Sequence, residues 1–252
     1  MLSKNTLKLI TSLEQKKYRK ESGLFVAEGG KTVNDLIDCG LVAEKVIATR
    51  EWLDTHTLHG SHNVIEVTEE ELRRASFLRA PQGVLALFRQ PSHTLDHEAP
   101  AKRLCLALDN VQDPGNLGTI VRLADWFGIK QIVCSPATAD AFNPKTIQST
   151  MGAIARVNVY YTQLDTFFEQ YSDIPCCGTF LDGEDIYSAE LPQPAIIVMG
   201  NEGNGISDRV SEFVNKRITI PPYPQKSNTV ESLNVAMATA IVCAEFRRRL
   251  KK

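Results

Sequence analysis

Three stretches in the second half of the chain gather polar side chains and glycines of the kind that bind ligands and move protons. The first, 109–122, reads DNVQDPGNLGTIVR. Asp113-Pro114-Gly115 is a turn, and Asn116 is placed to cap the helix that follows. Arg122 projects from that helix beside an apolar stripe of Ile120, Leu123 and Phe127. Taken alone, this is a capped helix with a surface arginine. The second stretch, 199–207, is MGNEGNGIS. Glycines let a backbone approach a ligand closely, so a glycine-rich turn between strand and helix suggests an adenosine-bearing ligand. The spacing is GxxGxG rather than GxGxxG, no P-loop lysine follows, and Glu202 would repel a pyrophosphate. A dinucleotide or phosphate cradle is therefore disfavoured. The third stretch opens at 218 with ITIPPYP, where prolines stiffen a strand exit, and leads to Ser232 and Asn234 at a helix start. Ser232 can serve as the N-cap, which leaves Asn234 in the first turn, a poor helix position unless its amide has another use.

Such loops need a scaffold, and the sequence supplies one. Residues 103–252 alternate strands at 104–108, 131–134, 157–161, 177–181, 195–199 and 217–220 with helices at 117–127, 144–155, 164–171, 207–214 and 232–250. This predicts an α/β fold with a mostly parallel sheet covered on both faces, and ligands at the carboxyl ends of its strands. Residues 91–102 carry two prolines and two histidines and read as a linker. Residues 1–90 read as a small α/β domain. It has a helix carrying Leu2, Leu9, Ile10 and Leu13, strands at 24–27, 42–48, 64–67 and 83–88, and a helix at 32–39. A capping box from Thr68 to Glu71 opens a further helix to about Ser76.

Composition bounds the rest. With 252 residues, 43% hydrophobic and 23% charged, disorder is excluded as the dominant state. Apolar runs such as 195–199 are too short to span a bilayer, and the N-terminus has no secretory apolar region, so a cytoplasmic protein without a membrane partner is expected. The net charge of −2 excludes a histone-like binder, yet the charge is uneven. Lys4, Lys8, Lys16, Lys17, Arg19 and Lys20 face a single acid, Glu14, and the chain closes on RRRLKK. These ends are either solvated helix faces or phosphate-contacting surfaces. Cys39, Cys105, Cys134, Cys176, Cys177 and Cys243 form no CxxC and read as buried thiols. His56, His59 and His62 lie in a polar loop without further ligands, so no metal is expected.

Taken in order, the three stretches closely resemble the SpoU (TrmH-type) family of RNA ribose 2′-O-methyltransferases of the SPOUT superfamily. The resemblance spans essentially the whole second part. More weakly, 17–29 (KYRKESGLFVAEG) is similar to the opening of the small substrate-binding domain often found ahead of it. Pro222 departs from the pattern, since many relatives carry Met there. The resemblance implies a deep C-terminal trefoil knot, an S-adenosyl-methionine pocket in the knotted loops, and a homodimer. Gly200, Ile220 and Leu233 correspond to pocket-forming positions, with Asn201, Gly205 and Pro222 as neighbours. Asn116, Arg122, Glu202, Ser232 and Asn234 take the positions of the functional polar residues, and Lys16, Lys17, Arg19 and Lys20 are candidate RNA contacts. Ribosomal RNA is the expected substrate, with transfer RNA the alternative. An NAD-dependent enzyme would need a glycine fingerprint in the first βα turn, which DNVQDPGNLG lacks. A non-catalytic RNA-binding module would not need all five polar residues.

Overall fold

The computed structural model describes residues 1–60, 63–224 and 232–250. His62, the polar loop at 225–231 and the last two lysines lie outside the described residues. The chain divides into two compact units, Met1–Ser92 with Asp140–Arg156, and His93–Ala139 with Val157–Lys252.

The elements before residue 92 are α1 (Lys4–Ser12), α2 (Lys16–Ser22), β1 (Leu24–Glu28), α3 (Gly30–Asp38), β2 (Ala43–Thr49), α4 (Arg50–Thr55), β3 (Val64–Val67), α5 (Glu69–Ala75) and β4 (Val84–Arg89). From there follow α6 (Ala99–Lys102), β5 (Leu104–Leu108), α7 (Pro114–Trp126), β6 (Gln131–Cys134) and α8 (Pro144–Thr150). After a 3₁₀ turn at Ala153–Ala155 come β7 (Asn158–Tyr161), α9 (Leu164–Gln170), β8 (Cys176–Asp185) and β9 (Ala195–Met199). The last are α10 (Asp208–Ser211), β10 (Lys216–Thr219) and α11 (Val235–Arg248).

In the first unit the sheet order is β1-β4-β2-β3, antiparallel except for β2 with β3. Ile10, Leu13, Val26, Ile47, Leu72, Leu85 and Leu87 form its core. The capping box is present: Thr68 Oγ1 accepts from Glu71 N–H at 3.2 Å, and Glu71 Oε2 accepts from Thr68 N–H at 3.0 Å. Helix α8 packs on β1, so the segment Asp140–Arg156 belongs with this unit, although its helix reads in sequence as part of the second alternation. In this unit α2 and α4 have no counterpart in the sequence reading. Helix α2 (KKYRKES) lacks an apolar stripe because its one buried side chain is Arg19.

The second unit holds a six-stranded sheet of order β10-β8-β9-β5-β6-β7, parallel at every pairing. Its central strands β5 and β9 are buried at every residue, as expected for a sheet covered on both faces. On one side Phe167 and Phe168 of α9 and Val210 of α10 pack with Cys105, Ala107, Ile196 and Val198. Elsewhere α7 packs on β6, and α11 packs on α7. The stretch expected as a linker is docked here: Ala99 and Pro100 are buried, and Asp96 N–H donates to Gln131 Oε1 at 2.7 Å. Strand β8 is longer than expected, and α10 is a four-residue turn.

Cys39 is exposed, against the expectation of buried thiols throughout; the other five are buried. Burial pushes the thiols of Cys105, Cys176 and Cys243 up to about 12, which leaves them inert. Among the described residues no His, Cys, Asp and Glu group could hold a metal ion, and no helix is long and apolar enough to cross a membrane.

Candidate active site

Because all six strands run the same way, the loops after β5, β9 and β10 leave the sheet at one edge. The first loop is built around Asn110, which holds a left-handed backbone at φ 58, a conformation asparagine tolerates better than most residues. Ser135 Oγ accepts from Asn110 N–H and donates to Asn110 Oδ1, both at 2.9 Å. The Asn110 carbonyl accepts from Asn201 Nδ2 at 2.7 Å, and buried Asp109 accepts the Ser207 N–H at 2.7 Å. The loop after β5 thus fixes both ends of the loop after β9.

Within the second loop, Asn201 and Gly205 exchange backbone hydrogen bonds of 2.8 and 3.0 Å, while Asn201 Oδ1 accepts the N–H groups of Gly203 and Asn204. Gly200 is forced by this closure. A Cβ there would lie 2.2 Å from the Gly205 carbonyl carbon, and Gly205 itself sits at φ 70.

Glu202 stands at the tip of that loop and reaches across to the first. Its carboxylate accepts the N–H groups of Gln112 and Asp113, each at 3.1 Å, and the Asn116 side-chain amide at 3.0 Å. Desolvation by the adjoining loop works against its charge, but the Asn116 amide and the backbone donors outweigh it and hold the carboxyl below its ordinary range. Asn116 Oδ1 in turn accepts from Asn234 Nδ2 at 3.0 Å. Asn234 Oδ1 accepts from Ala236 N–H at 3.0 Å and Met237 N–H at 3.3 Å, capping α11. One hydrogen-bonded chain, Glu202 to Asn116 to Asn234, therefore joins all three loops.

This corrects two expectations. Asn116 does not cap α7; Asp113 does, accepting the Asn116 N–H at 2.9 Å, with Pro114 opening the helix. Asn234, not Ser232, caps α11, because only Asn234 is positioned to satisfy the free N–H groups of its first turn. Ser232 is exposed and, among the described residues, has no hydrogen-bond partner. Arg122 is exposed on α7, and among the described residues nothing pairs with its guanidinium. The geometry thus brings together Asn116, Glu202 and Asn234, with Arg122 and Ser232 outside their hydrogen bonds. Sequence reasoning missed Asp109, Asn110, Gln112 and Ser207. An Asp-Asn pair directly after an apolar strand was the signal available for Asp109 and Asn110.

Residues 103–244 match the SpoU rRNA methylase family. The chain belongs to that family. Residues 4–86 match a second description, the MRM3-like substrate binding domain. The chain is 30% identical to the Bacillus subtilis 23S rRNA (guanosine(2553)-2′-O)-methyltransferase RlmP, over 93% of each chain. It is 25% identical to the human mitochondrial rRNA methyltransferase 3, over 96% of this chain and 72% of that one. Among solved structures it resembles a TrmH-family protein from Porphyromonas gingivalis (39% identity, TM-score 0.84, 99% of both chains). It also resembles an AdoMet-bound rRNA methyltransferase from Sinorhizobium meliloti (30%, TM-score 0.86, 100% of this chain and 97% of that one).

SpoU chemistry uses S-adenosyl-methionine, and the residues present fit that group. Glycine at 200 leaves the backbone bare of side chain where a ligand can approach it closely, while Ile220, Leu233 and Met237 leave apolar surface exposed or half-exposed. Pro222 is exposed at the exit of β10. An ionised Glu202 suits a sulfonium cation and opposes a pyrophosphate.

The basic residues divide differently from the sequence expectation. Arg19 is 2% exposed: it pairs with Asp140 at 2.5 Å and donates to the Leu13 and Glu14 carbonyls at 2.8 and 2.7 Å. It is a core residue, not an RNA contact. Lys16, Lys17 and Lys20 are exposed, with Lys17 at 3.9 Å from Glu21. At the other terminus, Arg247 donates to the Phe127 carbonyl, and Arg249 to Glu245 and the Ile186 carbonyl, each at 2.7 Å. These arginines tie down the end of α11.

Proposed function

We propose that the chain transfers a methyl group from S-adenosyl-methionine to a ribose 2′-hydroxyl of ribosomal RNA, in the cytoplasm. The observation that carries this is the Glu202–Asn116–Asn234 chain across three loops at the carboxyl edge of a parallel sheet, in a SpoU-family protein. The named activities of the B. subtilis and human relatives favour ribosomal over transfer RNA.

S-adenosyl-methionine, when bound, supplies an electrophilic methyl with a good leaving group. The protein's task is then to orient the hydroxyl and favour loss of its proton. Gly200, Asn201, Gly205, Ile220, Pro222 and Leu233 would hold the cofactor. Arg122 would stabilise the developing alkoxide at the 2′-oxygen and hold the RNA as a permanent cation. A guanidinium with a pKa above ~12 is a costly general base, so charge is the better account of its role. Glu202 orients Asn116, Asn116 orients Asn234, and Asn234 fixes the start of α11; Ser232 offers an adjacent neutral donor.

The remaining family traits form part of the same reading. Residues 1–90, with the segment Asp140–Arg156 that packs with them, serve as the RNA substrate-binding domain, with Lys16, Lys17 and Lys20 as phosphate contacts. Residues 91–102 connect it to the methyltransferase domain at 103–252, whose C-terminal segment forms the trefoil knot. Two protomers pair through α7 and α11. Trp126 is 82% and Met237 61% exposed, while Val235 and Val242 are already consumed by the protomer's own core.

Calorimetry with S-adenosyl-methionine and with NAD tests the cofactor assignment. Binding of the methyl donor alone is expected; NAD binding with no response to the methyl donor would end the methyltransferase reading.

A further inference from the structure

We propose that the first unit carries a pocket for a single guanine base of RNA, read by the carboxylate of Glu28. The proposal rests on the reading of that unit as an RNA substrate-binding domain, and concerns a base other than the ribose acted on in the second unit.

Along β1, residues Val26 and Glu28 share a face. Val26 joins the apolar core, whereas Glu28 ends the strand at 5% exposure, a costly place for a carboxylate. Glu28 accepts the Phe77 N–H at 2.8 Å through Oε1 and the Ser76 hydroxyl through Oε2. Each oxygen keeps a further acceptor site. Beside it lies a cavity of about 210 Å³, lined by Val26, Glu28, Phe77 and Leu78 and, from α8, by Lys145, Ile147 and Gln148. Burial raises the Glu28 pKa despite these two donors, so the group gains from additional ones.

The cavity falls below the ~300 Å³ lower end for drug-sized ligands, so it admits one ring system and little more. Val26, Phe77, Leu78 and Ile147 provide apolar walls for the faces of a flat ring. The carboxylate selects the edge. Guanine alone among the RNA bases presents two adjacent donors, N1–H and N2–H, in the parallel arrangement that a carboxylate accepts. Adenine and cytosine each offer one amine beside an acceptor, and the uracil N–H lies between two carbonyls that the carboxylate repels. Lys145 lines the cavity too, so discrimination rests on the base edge, which an unpaired base splayed from single-stranded RNA presents.

The test uses the full-length chain and fluorescein-labelled uridine heptamers carrying guanine, inosine or adenine at the central position, read by fluorescence anisotropy. Inosine lacks only the N2 amine. The guanine heptamer is expected to bind at least tenfold tighter than either other, and guanosine monophosphate, which lacks the neighbouring phosphates, to compete only weakly. Glu28→Gln should erase the preference. Gln148→Trp should erase it too, by filling the cavity; Gln148 is half-buried with no hydrogen-bond partner among the described residues, so this change leaves the Glu28 contacts intact. Equal binding of the three heptamers, or an undiminished preference in Gln148→Trp, would overturn the pocket while leaving RNA binding standing. Competition by the free nucleotide as strong as by the heptamer would overturn the RNA assignment. Absence of binding to any heptamer would remove both the pocket and the domain reading beneath it.

Discussion

Replacing Asn116 by aspartate keeps the shape of the central amide and reverses one of its two functions. The acceptor toward Asn234 survives, but the donor toward Glu202, now at 3.0 Å, becomes a second carboxylate oxygen. Two unit charges about 4 Å apart repel by ~1 kcal/mol in water and ~4 kcal/mol at the effective dielectric near a protein surface. Glu202 is exposed, so the lower part of that range applies. Loss of a hydrogen bond to a charged group adds about 1.5–3 kcal/mol. The total, about 3 kcal/mol, corresponds to a loss of roughly 100-fold in kcat if the loop tie positions the reacting groups. The sign with pH follows. In the native site Glu202 is held below its ordinary range, so its tie is intact above about pH 4.5 and fails only as pH falls through its depressed value. In Asn116→Asp the paired carboxyls share a proton at mildly acid pH and recover a hydrogen bond. The ratio of variant to wild-type methyl transfer, measured from pH 5 to 8, should therefore rise several-fold toward pH 5. A flat ratio, or a variant within threefold of wild type at pH 7.5, would refute the role assigned to this chain.

Other consequences are equally open to measurement. Gly200→Ala places a methyl 2.2 Å from the Gly205 carbonyl carbon, so calorimetry should show loss of S-adenosyl-methionine binding while the sheet remains folded by circular dichroism. Arg19→Ala strands Asp140 and frees two carbonyls, which should cost about 3–5 kcal/mol in urea unfolding; Asp140→Asn should cost less. Glu245, hydrogen-bonded by Arg248 and, against the burial penalty, by Arg249, is held down at about 2. Its stabilisation is present above pH 4.5 and lost as pH falls toward 2, so Glu245→Gln should destabilise at pH 7 by about 1–3 kcal/mol and have little effect near pH 2.

Much of the scaffold was legible because it is periodic. The strands at 64–67, 104–108, 131–134 and 195–199 match their observed limits, being short apolar runs bounded by turn residues. The Thr68–Glu71 capping box is a local three-residue relation and was legible for the same reason. Helix α2 was not, because its buried side chain is an arginine whose partner, Asp140, lies 121 residues away. The cap of α11 was placed two residues early, because Ser232 and Asn234 have similar capping preferences and only their geometry separates them. The polar residues themselves were legible as types and motifs. Their connection was not, since Glu202, Asn116 and Asn234 meet across separations of 86 and 118 residues, which no local pattern encodes.

Methyl transfer to a ribose hydroxyl, promoted by Arg122, leaves a product that can be read directly. Its most direct test incubates ribosomal RNA lacking the modification with S-adenosyl-methionine and either wild-type protein or Arg122→Ala, followed by digestion and nucleoside mass spectrometry. Wild type is expected to yield a 2′-O-methyl nucleoside and Arg122→Ala nearly none, with its affinity for the methyl donor unchanged. Arg122→Lys, which keeps the charge without the planar fork, should restore only a small fraction. A base-methylated nucleoside, or equal product from Arg122→Ala, would contradict it.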